Sequence, residues 1–313
     1  MSPPGLSEAF SAHRQALWAL GYRMLGTASD AEDAVQDAFV RAMERPPADL
    51  ERPWKPWLVR VLMNACRDRL RKRKHVGYPG PWLPAPVSTE SVEPLRVDSL
   101  FGSSRPDARI ELLESVSMAF LLAVEALTPQ QRAVLVLRDV CDCSGAETAE
   151  LLGLSVGNVK VTLHRARKAL ERDRVTAASS LADASAVMGL IARFAAALQS
   201  GELERVRAVM ADDVVLLSDG GGVVRAANKP VLGGDHVAAV YFGLAKARSG
   251  DTTAEVRMFN GSPAVVTTIK DPPRRWGHHS ILFLVPNDDG RIGRVFSVVA
   301  PDKIADALGA ARR

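Results

Sequence analysis

The sequence predicts a multidomain chain: two all-α domains, the second carrying a helix-turn-helix, followed by an α+β cone. Three observations predict it. Helical periodicity runs from the N-terminus to about Arg172 with one Pro-rich interruption. Cys143–Leu170, CSGAETAELLGLSVGNVKVTLHRARKAL, reads as two short helices joined by a tight turn. Beyond Asp213, short β-prone runs alternate with turn residues, as in a curved, mostly antiparallel sheet with helices packed on one face. The expected boundaries are 1–75 and 109–174 for the helical domains, 76–108 and 175–183 for linkers, and 184–313 for the cone.

The chain is long enough for two or three domains, and its 47% hydrophobic content can build real cores. The formal charge of +4 decides little until the charges are placed. No apolar run is long enough to span a membrane, and the N-terminus lacks the layout of a signal peptide, so a cytoplasmic protein is expected. Cys66, Cys141 and Cys143 fit a reducing compartment. Cys141-x-Cys143 has no second Cys or His pair at suitable spacing, so the cysteines read as small buried hydrophobes and no metal or cofactor is expected.

Residues up to about Arg45 are helical, with an apolar stripe of Phe10, Leu17, Leu20 and Leu25. Gly26-Thr27 breaks the stripe, and Ser29 or Asp30 can cap the next helix. Its opening turns carry Asp30, Glu32, Asp33 and Asp37. Carboxylates there are stabilised by the helix dipole, so composition alone favours a solvated face over a surface for a basic partner. After a loop over 46–53, Trp54, Trp57, Leu58, Val61, Leu62 and Ala65 form another stripe, and Arg60, Asn64, Arg67, Arg71 and Lys74 line a different face. Eleven basic residues stand against four acidic ones between Arg41 and Lys74. Interleaved with Trp and Asn, that charge can hold a phosphate backbone and stack an unpaired base.

The linker over 75–106 is rich in Pro and shows no period, yet it contains Trp82-Leu83. A free linker gains nothing from an exposed Trp, so the segment is expected to dock. Helices follow over 107–140, with Thr128 as a cap and Pro129 at the first helical position. In the helix-turn-helix, Ser144 and Glu147 form a capping box, Ala149 permits close crossing, Gly153 tolerates positive φ, and Ser155 caps the second helix. Val159, Leu163, Ala166 and Leu170 form its apolar face. Asn158, Lys160, Thr162, Arg165 and Lys168 occupy the rest, a polar and cationic surface suited to a major groove. In the cone, helices are expected over 184–198, 202–210 and 235–247, strands over 214–217, 223–226, 254–259, 264–269, 280–285 and 292–299, and a hairpin turn over 287–290.

Read together, GYRMLG (Gly21–Gly26), DAEDAVQDAFVRA and WLVRVLMNACRDRLR resemble the promoter-opening region of extracytoplasmic-function sigma factors. LTPQQRAVLVLRDVCDCSGAETAELLGLSVGNVKVTLHRARKAL resembles the second DNA-binding region of that family. The remainder resembles the group of these factors that carries a SnoaL-like, ketosteroid-isomerase-like C-terminal domain. WLPAP (Trp82–Pro86), Asp219-Gly220-Gly221-Gly222-Val223 with Arg225, and Ala300-Pro301-Asp302-Lys303-Ile304 are similar to its WLPEP, DGGGR and NPDKL motifs, each departing by a residue or two.

The resemblance implies roles. Asp30, Glu32, Asp33 and Gln36 would dock on the clamp helices of the largest subunit of RNA polymerase, in place of the solvated-face reading. Trp54, Arg60, Asn64, Arg67 and Arg71 would grip and open the −10 element. Ser155, Asn158, Lys160, Thr162, Arg165 and Arg167 would meet the −35 element, with the flap of the second-largest subunit as a further partner. The unexplained Trp in the Pro tract and the fused position of the C-terminal domain lead to a further expectation: Trp82, Asp219, Gly220, Gly221, Gly222, Pro301, Asp302 and Lys303 form a regulatory contact between linker and C-terminal domain, replacing a separate anti-sigma factor.

Cones of this type often enclose an apolar pocket, so a small unknown ligand is one further partner and a vestigial isomerase or cyclase one alternative. Asp213, Asp219, Asp235, His236, His278 and His279 are conceivable acid–base groups. Asp219 is more simply a turn former, and neighbouring His278 and His279 at a strand start point to opposite faces. A non-enzyme is expected. A polymerase-independent helix-turn-helix regulator is the other alternative.

Overall fold

The computed structural model describes residues 5–89, 115–172, 183–247 and 252–309. Residues 90–108 of the linker expected over 76–108, residues 175–182 of the one expected over 175–183, and the start of the helix expected at 107 lie outside the described residues. The chain divides into two compact units: Met1–Gly77 with Ser91–Ala177, and Tyr78–Glu90 with Ala178–Arg313. Among the described residues no helix is long and apolar enough to cross a membrane.

The N-terminal unit is all helical. Helices α1 (Leu6–Leu25), α2 (Ala28–Glu44) and α3 (Trp54–Val76) pack pairwise. Gly21 lets α1 and α2 approach, because a Cβ there would sit 3.4 Å from Ala31. Thr27, rather than Ser29 or Asp30, caps α2: its backbone is extended, and its Oγ1 accepts the Asp30 N–H at 3.2 Å. Ser29 and Asp30 already have helical backbone and cannot serve as the cap.

The second half of this unit contains α4 (Met118–Ala123), a 3-10 turn (Val124–Ala126), α5 (Pro129–Leu135) widened into a π turn (Val136–Val140), α6 (Gly145–Leu152) and α7 (Val156–Arg172). Thr128 and Ser144 each form a complete capping box, with Gln131 and Glu147. Gly153 ends α6 at φ 66, and Ser155 Oγ accepts the Asn158 N–H to start α7. Ala149, Val159, Leu163 and Ala166 are buried in the hairpin. Replacing Ser144 by alanine removes the α6 cap and lowers the stability of this unit by about 1 kcal/mol, read as an earlier midpoint in urea. An unmoved midpoint would mean that water replaces the cap.

The C-terminal unit is α+β. Helices α8 (Ala184–Gln199) and α9 (Leu203–Ala208) precede β1 (Met210–Asp219), β2 (Val231–Leu232), α10 (Gly234–Ala247), β3 (Thr252–Phe259), β4 (Ser262–Ile269), β5 (His279–Pro286), β6 (Ile292–Val298) and α11 (Pro301–Leu308). The six-stranded sheet runs β2-β1-β6-β5-β4-β3. All pairs are antiparallel except β1 with β6. The helices bury Val187, Leu190, Phe194 and Tyr241 against Leu282, Leu284 and Val295 of the sheet. Phe194 and Tyr241 meet edge-on with centroids 5.3 Å apart.

The strand expected over 223–226 is a turn instead. The Gly220 carbonyl accepts the N–H of both Val223 and Val224, and Gly221 and Gly222 take positive φ, so the chain curls before it can extend. The short partner of β1 is Val231–Leu232.

Candidate functional site

The acidic face of α2 is partly engaged within its own unit. Asp30 accepts from Thr27 Oγ1 at 2.7 Å, Glu32 pairs with Arg14 at 2.5 Å, and Gln36 donates to Glu32 at 3.3 Å. Arg69 of α3 reaches Asp37 at 2.6 Å and Asp33 at 3.5 Å. The Asp33 side chain remains 59% exposed, so a carboxylate is still offered to a partner.

On α3 the expected set splits. Arg60 and Arg71 are exposed, and Arg71 pairs with Asp68 at 2.8 Å. Asn64 and Arg67 are half-buried; Arg67 donates to the Leu152 carbonyl at the end of α6, and burial pulls its guanidinium below the usual range. Trp54 is buried and packs edge-on against Trp57, centroids 6.0 Å apart. At 7% exposure its ring is not presented for stacking. Trp57 is half-exposed.

On α7, Ser155, Asn158, Lys160, Arg165 and Arg167 are exposed. Thr162 is not: it is 8% exposed and donates to Asn158 Oδ1 at 3.0 Å. Spacing explains this, since Thr162 follows Val159 by three and precedes Ala166 by four, on the apolar face. Arg167 is held by Asp139 through two bonds of 2.9 and 2.7 Å, and that carboxylate raises its already high pKa. Val156 and Val161 are exposed on the same helix at 56% and 50%. Exposed valines on a basic helix can meet thymine methyl groups in a major groove, and their place off the apolar stripe was the readable signal.

The C-terminal unit builds a second constellation around Asp219, at the end of β1. Asp219 is fully buried. Its Oδ1 accepts from Tyr78 Oη at 2.6 Å and from the Gly221 N–H at 2.9 Å. Its Oδ2 accepts from the Leu83 N–H at 2.8 Å and from Lys303 Nζ at 2.7 Å. Lys303, in the first turn of α11, also donates to the Leu83 carbonyl at 2.5 Å. Its ammonium lies 4.9 Å from the Tyr78 ring centroid and 4.4 Å from that of Trp82. A buried charge needs a partner of opposite sign and filled hydrogen bonds, and this pair has both.

The glycines are spatial requirements. A Cβ at Gly220 would lie 2.4 Å from the Val224 carbonyl, and one at Gly222 would lie 2.6 Å from the Pro79 ring. Pro301 opens α11 at N1, and Pro301 and Asp302 are exposed, so Lys303 alone of that motif enters the buried pair.

Sequence reasoning missed Tyr78 and Asn260. Asn260 is buried at φ 54. Its N–H donates to the Val87 carbonyl and its Oδ1 accepts the Val87 N–H, both at 2.9 Å. Gly261 donates to Thr89 Oγ1 at 3.1 Å, and Ser88 bridges Phe259. The signal was the Asn260-Gly261 turn dipeptide between two strand patterns, where a side chain can face along the hairpin end.

The acid–base candidates do not converge. Asp213 and His278 are exposed, Asp235 pairs with Arg207 at 2.6 Å, and His236 Nδ1 lies 3.0 Å from the Leu232 carbonyl. His279 Nδ1 lies 3.0 Å from Thr268 Oγ1, and burial lowers its pKa. Asp219 has its oxygens filled as described.

Comparison with known proteins agrees with this arrangement of parts. A family model for Sigma-70 region 2 matches residues 9–76, and one for Sigma-70, region 4 matches 117–170. The ECF RNA polymerase sigma factor SigJ of Mycobacterium tuberculosis (strain H37Rv) is 30% identical over 307 residues, covering 94% of this chain and 91% of that protein. The ECF sigma factor SigG of the same species (strain CDC 1551) is 36% identical over 213 residues, 63% of this chain and 58% of that one. The crystal structure of M. tuberculosis SigJ superposes with a TM-score of 0.70 at 27% identity, covering 96% of this chain and 99% of that one.

Proposed function

The chain belongs to the extracytoplasmic-function RNA polymerase sigma factors, of the SigJ type, and from that premise we propose that its C-terminal unit restrains initiation by holding linker residues 78–89 in a buried clamp centred on Asp219. As a sigma factor it directs core polymerase to promoters. The observation that carries the proposal is the four-fold bonding of Asp219 by Tyr78, Leu83, Gly221 and Lys303. Leu83, Ala85 and Val87 are buried with it. A segment buried in this unit cannot at the same time thread the polymerase interior, so the docked state is the restrained one.

The remaining roles follow the same frame. Asp33, with Asp30, Glu32 and Gln36, offers α2 to the basic clamp helices of the largest subunit. Arg60, Asn64, Arg67 and Arg71 engage the −10 element once Arg67 leaves Leu152. Asn158, Lys160 and Arg165, with Val156 and Val161, read the −35 element, and α6–α7 meets the flap of the second-largest subunit. The clamp stands in place of a separate anti-sigma factor. The protein acts in the cytoplasm, where promoters and polymerase are, and is not an enzyme; the scatter of its acid–base groups supports that.

Run-off transcription with core polymerase on the gene's own upstream region tests the clamp. Lys303→Ala removes the cation facing Asp219, Tyr78 and Trp82, and is expected to raise output about tenfold or more, the equivalent of releasing at least 1.4 kcal/mol of restraint. Unchanged or lower output would end the restraint proposal. Asp33→Lys in the same assay is expected to weaken core binding; full retention would favour the polymerase-independent reading.

A further inference from the structure

A second feature of the C-terminal unit is unused by the clamp. A cavity of about 480 Å³ opens beside the glycine turn. Pro79, Gly222, Arg225, Arg274, Arg275 and Trp276 are among the residues that line it. Its volume lies within the roughly 300–1,000 Å³ typical of small-molecule sites.

The charges around it are not balanced by protein. Three other arginines of this unit have carboxylate partners: Arg205 pairs with Glu202, Arg207 with Asp212 and Asp235, and Arg291 with Asp212. Arg225, Arg274 and Arg275 have no carboxylate partner among the described residues. Asp219 is close in sequence to Arg225, but its oxygens are taken by Tyr78, Leu83, Gly221 and Lys303.

A backbone bond brings the loops that carry these cations together. The Arg225 N–H donates to the Arg275 carbonyl at 2.6 Å, tying the two loops. Arg275 sits at φ 67, a region L side chains rarely adopt, and the Trp276 N–H turns back to the Pro273 carbonyl at 2.9 Å. Like charges gathered round one cavity repel unless an anion joins them. Guanidinium forks fit phosphate oxygens in pairs, and Trp276 adds an apolar aromatic wall.

We propose that this cavity binds a small phosphorylated molecule, a mono- or diphosphate carrying an organic group, and that its occupancy strengthens linker docking. The phosphate meets Arg225, Arg274 and Arg275, and the organic group lies toward Trp276. Because Pro79 and Gly222 share the wall, an occupant bridges the linker and the glycine turn. The binding stands independently of the clamp; the coupling rests on the restraint reading above.

Calorimetric titration of the full-length protein with inorganic pyrophosphate, and separately with adenosine diphosphate, tests the binding. Saturable binding is expected, weakened about tenfold or more in the double variant Arg274→Gln with Arg275→Gln. Arg274→Lys with Arg275→Lys should keep part of it, since charge remains while the paired geometry is lost. The absence of saturable binding below roughly 1 mM, or equal affinity in the glutamine variant, would overturn the site. So would a glutamine variant that loses promoter-DNA affinity in a protein that ignores pyrophosphate, which would assign the arginines to nucleic acid. Hydrogen exchange at the Leu83 amide tests the coupling: slower exchange with pyrophosphate bound is expected, and binding without slowing would overturn the coupling alone.

Discussion

Asp219→Ala lowers the melting temperature of the C-terminal unit and frees the linker. Lys303 is 5% exposed in its side chain and Asp219 is wholly buried, so the variant leaves an ammonium in the interior with ring faces and a carbonyl but no counter-charge. Breaking one side of a buried ion pair costs about 3–5 kcal/mol. The Leu83 and Gly221 amides and the Tyr78 hydroxyl lose their acceptor as well. For a unit of this size each kcal/mol moves the midpoint roughly 2–4 °C, so calorimetry of the full chain should show its transition falling by about 6–20 °C. The double variant Asp219→Ala with Lys303→Met removes both charges and should recover part of the loss, giving a coupling well above the error of such cycles. A single variant within about 2 °C of wild type, or a double variant no better than the single, would show that the pair holds nothing. The same variant should speed hydrogen exchange at Leu83.

Asp219 also shows where sequence reasoning stops. An Asp before three glycines reads as a turn former, and it is one, since Oδ1 accepts the Gly221 N–H. The second oxygen was not readable, because Leu83 and Lys303 lie 136 and 84 positions away and nothing local specifies a contact at that range. Trp82 gave a hint: an aromatic in a Pro tract implied docking, and the expected contact grouped it with Asp219 and Lys303 without giving the bonds. The helix-turn-helix was legible almost residue by residue, because capping boxes, Gly153 and the Val159–Leu163–Ala166 spacing are local signals. Thr162 was misplaced on the surface by its residue type, although its spacing put it on the apolar face. Trp54 was read correctly into the apolar stripe of α3, where it is buried; the −10 role came from the resemblance. The strand expected over 223–226 failed because β-propensity of Val-Val was weighed above the curl that Gly220 imposes.

Glu125→Ala should open the N-terminal unit. Glu125 holds two guanidiniums: Arg73 of α3 by two bonds of 2.7 Å, and Arg132 of α5 by one of 2.7 Å. Both arginines also reach the carboxyl end of α1, Arg73 to the Leu25 carbonyl and Arg132 to that of Met24. One carboxylate thus ties the helices of the region 2 half to those of the region 4 half. Arg132 is 3% exposed in its side chain, and burial already pulls its pKa down against the opposing pull of Glu125. Without Glu125 two cations face each other near the protein interior, at a cost of about 3–5 kcal/mol to the closed arrangement. That shifts the balance between closed and open forms by roughly 10²–10⁴. Closure also occupies Arg67, which donates to the Leu152 carbonyl at 3.4 Å. Distance measurements between labels at Arg41 and Lys168, both exposed, should show a longer and broader distribution in the variant. The three native cysteines are buried, with the Cys66 thiol pushed up to about 12, so introduced cysteines would take the labels. If binding to core polymerase requires the open form, apparent affinity rises with the open fraction until that form dominates. A distribution identical to wild type would place the closing energy elsewhere, in the contact of α3 with α6. Glu125→Gln separates the two, because it keeps the shape and an acceptor while removing the charge that holds both arginines.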